Sequence, residues 1–181
     1  MKSSEHTTWW ASEEAKAFKE KVRELIYFRV PEAEIFFPGE DMKKVRNTWD
    51  GETLAPFVTY RVGYLHDVTH LLLSSTDRMD NVNWGLGADP CEASYSPANP
   101  PIVSLDAAEK EEIFTCTLQL ALATWLGCNA LLIKAESEFL NTHFPSETEL
   151  ATVKAYRPEA LSDTNWDLVE KARSAFEVSC K

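Results

Sequence analysis

The most apolar part of the chain runs from Ile113 to Ile133, twenty-one residues without a charge, bounded by Lys110, Glu111 and Glu112 before it and Lys134 after it. Its apolar positions, among them Ile113, Phe114, Leu118, Leu122, Trp125 and Leu132, fall on every side of a 3.6-residue helix, so no face is left for water. The pattern predicts a long, buried central helix, opened by Ser104 as N-cap ahead of Leu105 and Asp106. The length also meets the roughly 20-residue requirement of a bilayer span. Thr115, Thr117, Gln119, Thr124 and Asn129 within the run, and the lack of flanking aromatic belts, argue against a membrane.

Other segments carry a clearer one-sided period. Ser12, Glu13 and Glu14 open a stretch in which Phe18, Val22, Leu25 and Ile26 recur at helical spacing, and Pro31 closes it. A connecting segment follows, broken at Pro38-Gly39 and Asp50-Gly51, with a brief helix expected between Asp41 and Trp49. Thr53 as cap and Pro56 in the first turn predict a helix to about Ser74, with Phe57, Val58, Val62, Leu65, Val68, Leu71 and Leu72 as its buried stripe. Thr76 to Pro101 has no sustained period and reads as a long loop of the kind that covers a site or reaches another subunit. Beyond the apolar run, Pro145 to Tyr156 and Ser162 onward predict two more helices. No alternating strand pattern appears, so the expected class is all-α: one domain, residues 1–181, built as a helical bundle around the central helix. Residues 1–53 contribute the first helix and an aromatic-rich loop, and 54–181 the main helical core.

Charge narrows the range of partners. With 29 acidic against 18 basic residues the chain carries a net charge of −11, which repels phosphate backbones, and no basic patch with interleaved aromatics offsets it. Nucleic acid is not expected as a ligand, whereas a basic protein partner fits the charge. The four cysteines, Cys91, Cys116, Cys128 and Cys180, are widely spaced without a C-x-x-C, which reads as buried thiols in a reducing compartment. The opening residues MKSSEHTTWW lack a secretory hydrophobic run, so a cytoplasmic protein is expected.

The candidate chemistry lies in His66-Asp67-Val68-Thr69-His70, where four residues bring both imidazoles to one helix face. Three readings stay open: acid/base or substrate-binding histidines, histidines packed in the core, and a metal pair. A catalytic zinc site needs three protein ligands, and none is tied to this pair in sequence; His143, Glu136 and Glu138 reach it only through tertiary packing. Gly85-Leu86-Gly87 lacks the third glycine, the preceding strand and the following lysine of a phosphate loop.

The order Leu-Asp-Ala-Ala-Glu-Lys-Glu-Glu, a long apolar helix containing Gly127-Cys128, a polar segment, Pro-Ser-Glu-Thr-Glu-Leu, Ala-Leu-Ser-Asp and a final amphipathic helix resembles the alkylhydroperoxidase-like (AhpD-like), carboxymuconolactone decarboxylase family. The likeness covers about Leu54 to Lys181 and rests on layout. It implies a small all-helical domain that assembles into homo-oligomers. The family's peroxidase members carry C-x-x-C, a histidine four residues on and an earlier glutamate. With Cys128 in the first place, those positions hold Leu131, Ala135 and Cys116, so thiol peroxidase activity does not carry over. The decarboxylase branch keeps a histidine where this chain has Lys134, Ala135 and Glu136.

Together these features predict a cofactor-independent, metal-free enzyme of the decarboxylase, lyase, isomerase or cyclase type acting on a small apolar organic molecule. His70, His66 and Glu136 are its candidate catalytic groups; Tyr64, Arg61 and Lys134 are candidate polar contacts, with Trp125, Trp84 and Trp49 as walls. The alternative from another class is a non-catalytic acidic binding or immunity protein that covers a basic partner.

Overall fold

The computed structural model describes residues 9–40, 48–56, 60–86 and 102–129. Helix dominates them. Three α-helices, α1 (Glu13–Arg29), α2 (Arg61–Leu73) and α3 (Leu105–Trp125), are joined by turns and by two short strands, β1 (Glu34–Ile35) and β2 (Thr53–Leu54). Among the described residues, no helix is long and apolar enough to cross a membrane. The chain divides into two compact units, one of residues 1–59 with 70–105 and one of residues 60–69 with 106–181. It therefore starts in the first unit, enters the second at Tyr60 just ahead of α2, returns to the first at His70 within α2 and passes to the second again at Asp106 within α3.

In the first unit, α1 forms where its local signals agree. The Ser12 hydroxyl accepts from the Ala15 amide at 3.2 Å, filling the N-cap role, and Glu13 and Glu14 face the positive end of the helix dipole. Ala15, Phe18, Val22 and Ile26 form its buried stripe, each of the larger three contributing about 1.5–3 kcal/mol by burial. The helix ends at Arg29, two residues before Pro31, and the Arg29 guanidinium donates to the Ser74 carbonyl at 2.5 Å. Phe18 packs edge-on against Trp9 and Trp10, with ring centroids 5.4 and 5.7 Å away. Trp10 in turn meets Phe37 at 5.8 Å.

The connecting segment is more ordered than its irregular sequence predicts. Asp50 accepts from the amides of Glu52 and Thr53 at 3.2 and 2.8 Å, and Gly51 takes φ +102°, a left-handed conformation that glycine adopts without strain. This turn swings Thr53-Leu54 alongside Glu34-Ile35 in parallel register. Two strands of two residues are too short to show alternation, which is why no strand was legible. Thr53 is thus a strand residue and not a helix cap, and α2 begins at Arg61 rather than near Pro56. Of the brief helix expected over Asp41 to Trp49, residues 41–47 lie outside the described residues, and Trp49 forms an isolated bridge with Leu54.

The described part of the long loop contains a 3₁₀ turn at Thr76–Arg78 and a second turn at Val82–Gly85. Asn83 and Trp84 there take φ +46° and +54°, a region costly for a side chain as large as Trp. Surrounding contacts hold it. Asn83 donates its amide to the Trp49 carbonyl at 2.9 Å and accepts from the Trp49 amide at 3.2 Å. Arg78 donates to the Trp84 carbonyl at 2.7 Å. The Trp84 indole stacks on Trp49 with centroids 6.4 Å apart and planes 6° from parallel. Gly85 follows because the Ile102 side chain occupies the space a Cβ would need.

In the second unit, α2 contributes the buried residues Val62, Tyr64, Leu65, Val68 and Thr69; Val62, Leu65 and Val68 belong to the predicted stripe, Tyr64 and Thr69 do not, and the predicted Leu72 is only partly buried. On α3, every side chain from Phe114 to Ala123 is buried, as expected of a helix apolar on all sides. Its start at Leu105 matches the sequence reading; its end does not. The apolar run predicts helix to Ile133, but the backbone turns after Trp125. Gly127 adopts φ +87°, its amide donates to the Thr124 carbonyl at 3.0 Å, and the Cys128 amide reaches the Ala123 carbonyl at 2.8 Å. That pair of bonds closes the last turn as a Schellman motif.

Candidate functional site

The site is assembled from one turn of α2 and one stripe of α3, both in the second unit. Glu112, Cys116 and Gln119 stand at i, i+4 and i+7 of α3, which aligns them on one side of the helix. His66 and Val62, four apart on α2, face that stripe through Gln119. The Gln119 Nε2 donates to the Val62 carbonyl at 2.6 Å, and its Oε1 lies 3.3 Å from His66 Nδ1.

This bridge sets the protonation pattern of the imidazole. A backbone carbonyl only accepts, so the amide end of Gln119 faces Val62 and the oxygen faces His66. His66 Nδ1 must then be the donor. In the neutral ring the lone pair is left on Nε2, which lies 3.4 Å from the Glu112 Oε2. Two acceptors at that separation repel unless a proton or another cation is held between them.

Access is graded across the cluster. The Glu112 side chain is 46% exposed and that of His66 19%, whereas Cys116 is 3% exposed. One ligand-type atom from each of the three lies within 4.8 Å of the others. Burial first, and then the charge of Glu112, push the Cys116 thiol up to about 12, so it remains protonated near neutral pH. It is not an activated nucleophile on its own. Cys128 is likewise a buried thiol.

The other predicted site residues divide between the units. Tyr64 is fully buried and Arg61 partly so on α2, while Trp125 is 41% exposed at the end of α3; these share the unit of His66. His70 lies in the first unit, 4% exposed, with its ring stacked on Trp84 at 5.4 Å. Trp84 is buried, and so is Trp49, which stacks on Trp84. Glu136 and Lys134, together with His143 and Glu138, lie outside the described residues. Sequence reasoning missed Glu112, Cys116 and Gln119 as partners of His66. Their 4-and-3 spacing on α3 was the available signal, but it was masked by a helix that reads as apolar throughout.

Comparison of the chain with protein-family models, with curated proteins and with solved structures finds no match to any of them.

Proposed function

We propose that the chain is a small-molecule enzyme of the lyase, isomerase or cyclase type, decarboxylases included, in which His66 is the base and Glu112 its charge partner. The observation that carries this reading is the His66 Nε2 to Glu112 Oε2 approach at 3.4 Å, with Nδ1 committed to Gln119. Nε2 takes a proton from carbon next to a substrate carbonyl, leaving an enolate. Glu112 stabilises the imidazolium so formed, and the same nitrogen returns the proton at the product position. The ring, 19% exposed, and the carboxylate, 46% exposed, give a substrate a route to the pair from the Glu112 side. The apolar surroundings of α3 suit a small, largely apolar molecule, and Arg61 on α2 is a candidate to hold its carboxylate. His70, stacked within an aromatic core, serves packing in this reading. The layout resemblance to the carboxymuconolactone decarboxylase family supports the same reaction class and a homo-oligomer, and the widely spaced cysteines without a C-x-x-C suit a cytoplasmic location.

The test is deuterium incorporation next to the carbonyl of a panel of small apolar oxo acids, followed by NMR in D₂O. Wild-type protein is expected to catalyse exchange with at least one of them, and His66→Asn to lose about 100-fold or more while keeping its helical circular dichroism. Exchange with none of the panel, or equal exchange by the variant, would overturn the reading. The net charge of −11 supports one alternative, a non-catalytic acidic protein that covers a basic partner. Capture of a basic protein by wild-type and His66→Asn alike, without exchange activity, would favour it.

A further inference from the structure

We propose that His66, Glu112 and Cys116 form a binding site for one divalent cation of the zinc class, held by the imidazole Nε2, a carboxylate oxygen and the Cys116 sulfur. The set contains three protein donors of the types zinc prefers, which is the number found in catalytic zinc sites that keep a fourth position for water or substrate. Nitrogen and sulfur donors beside one carboxylate select zinc or cobalt over calcium and magnesium, which take oxygen.

The spacing fits. Metal bonds of about 2.0–2.3 Å at tetrahedral angles place neighbouring donor atoms about 3.3–3.6 Å apart. The His66 Nε2 to Glu112 pair already stands at 3.4 Å, and one ligand-type atom from each of the three residues lies within 4.8 Å of the others. Closing the set around an ion therefore requires shifts of about 1 Å, within reach of side-chain rotation on fixed helices. Glu112 and Cys116 are held one turn apart on α3, so their relative position is set by the helix itself.

Two further features prepare the site. Gln119 fixes His66 with its proton on Nδ1, leaving Nε2 as the ligand atom; an outer hydrogen bond to the second ring nitrogen is the usual support of a metal-bound histidine. The ion would lie between the His66 Nε2 and the Glu112 carboxylate, which stand 3.4 Å apart. Binding displaces the thiol proton to solvent, so a thiolate and a carboxylate balance the doubly charged cation beside a neutral imidazole.

This inference does not rest on proton transfer by His66, and it adds a control over it. An ion on Nε2 occupies the lone pair that a base would use, so loading the site is expected to suppress deuterium exchange and a chelator to restore it.

The experiment is titration of the metal-free full chain with Co²⁺, followed by visible and near-ultraviolet absorption, with native mass spectrometry for stoichiometry. Expected are one cobalt per chain, four-coordinate d–d bands, a sulfur-to-cobalt charge-transfer band and displacement by Zn²⁺. Cys116→Ser should lose the charge-transfer band. Glu112→Gln, which keeps the size of a side chain that is 46% exposed, should weaken binding at least about tenfold. No saturable spectrum, or a spectrum and affinity unchanged in both variants, would overturn the site. Cobalt binding as expected in a protein that exchanges no deuterium would leave the metal site standing while removing the enzymatic reading.

Discussion

Gln119 is the residue on which the chemistry of the second unit turns. Its amide makes two contacts at once, to the Val62 carbonyl and to His66 Nδ1, and it does so while 2% exposed. Replacing it with leucine keeps comparable bulk but leaves Nδ1 without this acceptor in an apolar setting. Gln119→Leu is expected to cost about 1–3 kcal/mol, read as a lower urea midpoint with an unchanged slope. An unchanged midpoint would show that the bridge does not order the site. The sequence displays Gln119 only as a polar residue in an apolar helix, where it counts as evidence against a membrane. Its partner His66 stands fifty-three positions away, so the pairing is a product of tertiary packing. His66 itself was legible as a candidate because histidine carries its chemistry in its residue type. Glu112 was legible only as the charged edge of an apolar run.

The helices differ in how openly they declare their bounds. Helix α1 has a cap, a one-sided stripe and a proline stop, all pointing to the same limits, and it forms between them. Helix α3 has a clear start but an apolar stretch that continues past its end, so composition carries the helix on through residues 126–129, where the described backbone has already left it. One glycine outweighs them, because the two hydrogen bonds of the final turn require a left-handed residue at position 127. A Cβ there meets nothing within 4 Å, so alanine would be penalised by its backbone conformation alone. Gly127→Ala is expected to lose about 1 kcal/mol, and Gly127→Asn less, because asparagine tolerates that conformation. Thermal denaturation of the two variants beside wild type checks the order; equal stability of alanine and glycine would remove the left-handed turn as the reason α3 stops. The start of α2 was misplaced for the converse reason. Thr53 and Pro56 have the right residue types for a helix entrance, but the Asp50 turn has already committed Thr53 and Leu54 to pairing with β1.

At the scale of the whole molecule, the first unit is discontinuous in sequence, 1–59 and 70–105, with 60–69 belonging to the second. A cut at any one point leaves at least one unit with a missing or foreign piece, so neither is expected to be obtained intact by simple truncation. The indoles offer a way to follow the units without separating them. Trp49 and Trp84, stacked and buried in the first unit, should emit in the blue and, with their nearly parallel rings, give a coupled signal in ultraviolet circular dichroism. Trp125 in the second unit is 41% exposed and should emit toward the red. Subtracting the spectrum of Trp125→Phe from that of wild type isolates the second emitter, and Trp84→Phe removes the coupled pair. If the two signals change at different denaturant concentrations, the units open separately; coincident changes would mean that the shared helix makes them melt together. A residue pair selected for packing thus gives the protein a built-in optical gauge of its own cooperativity.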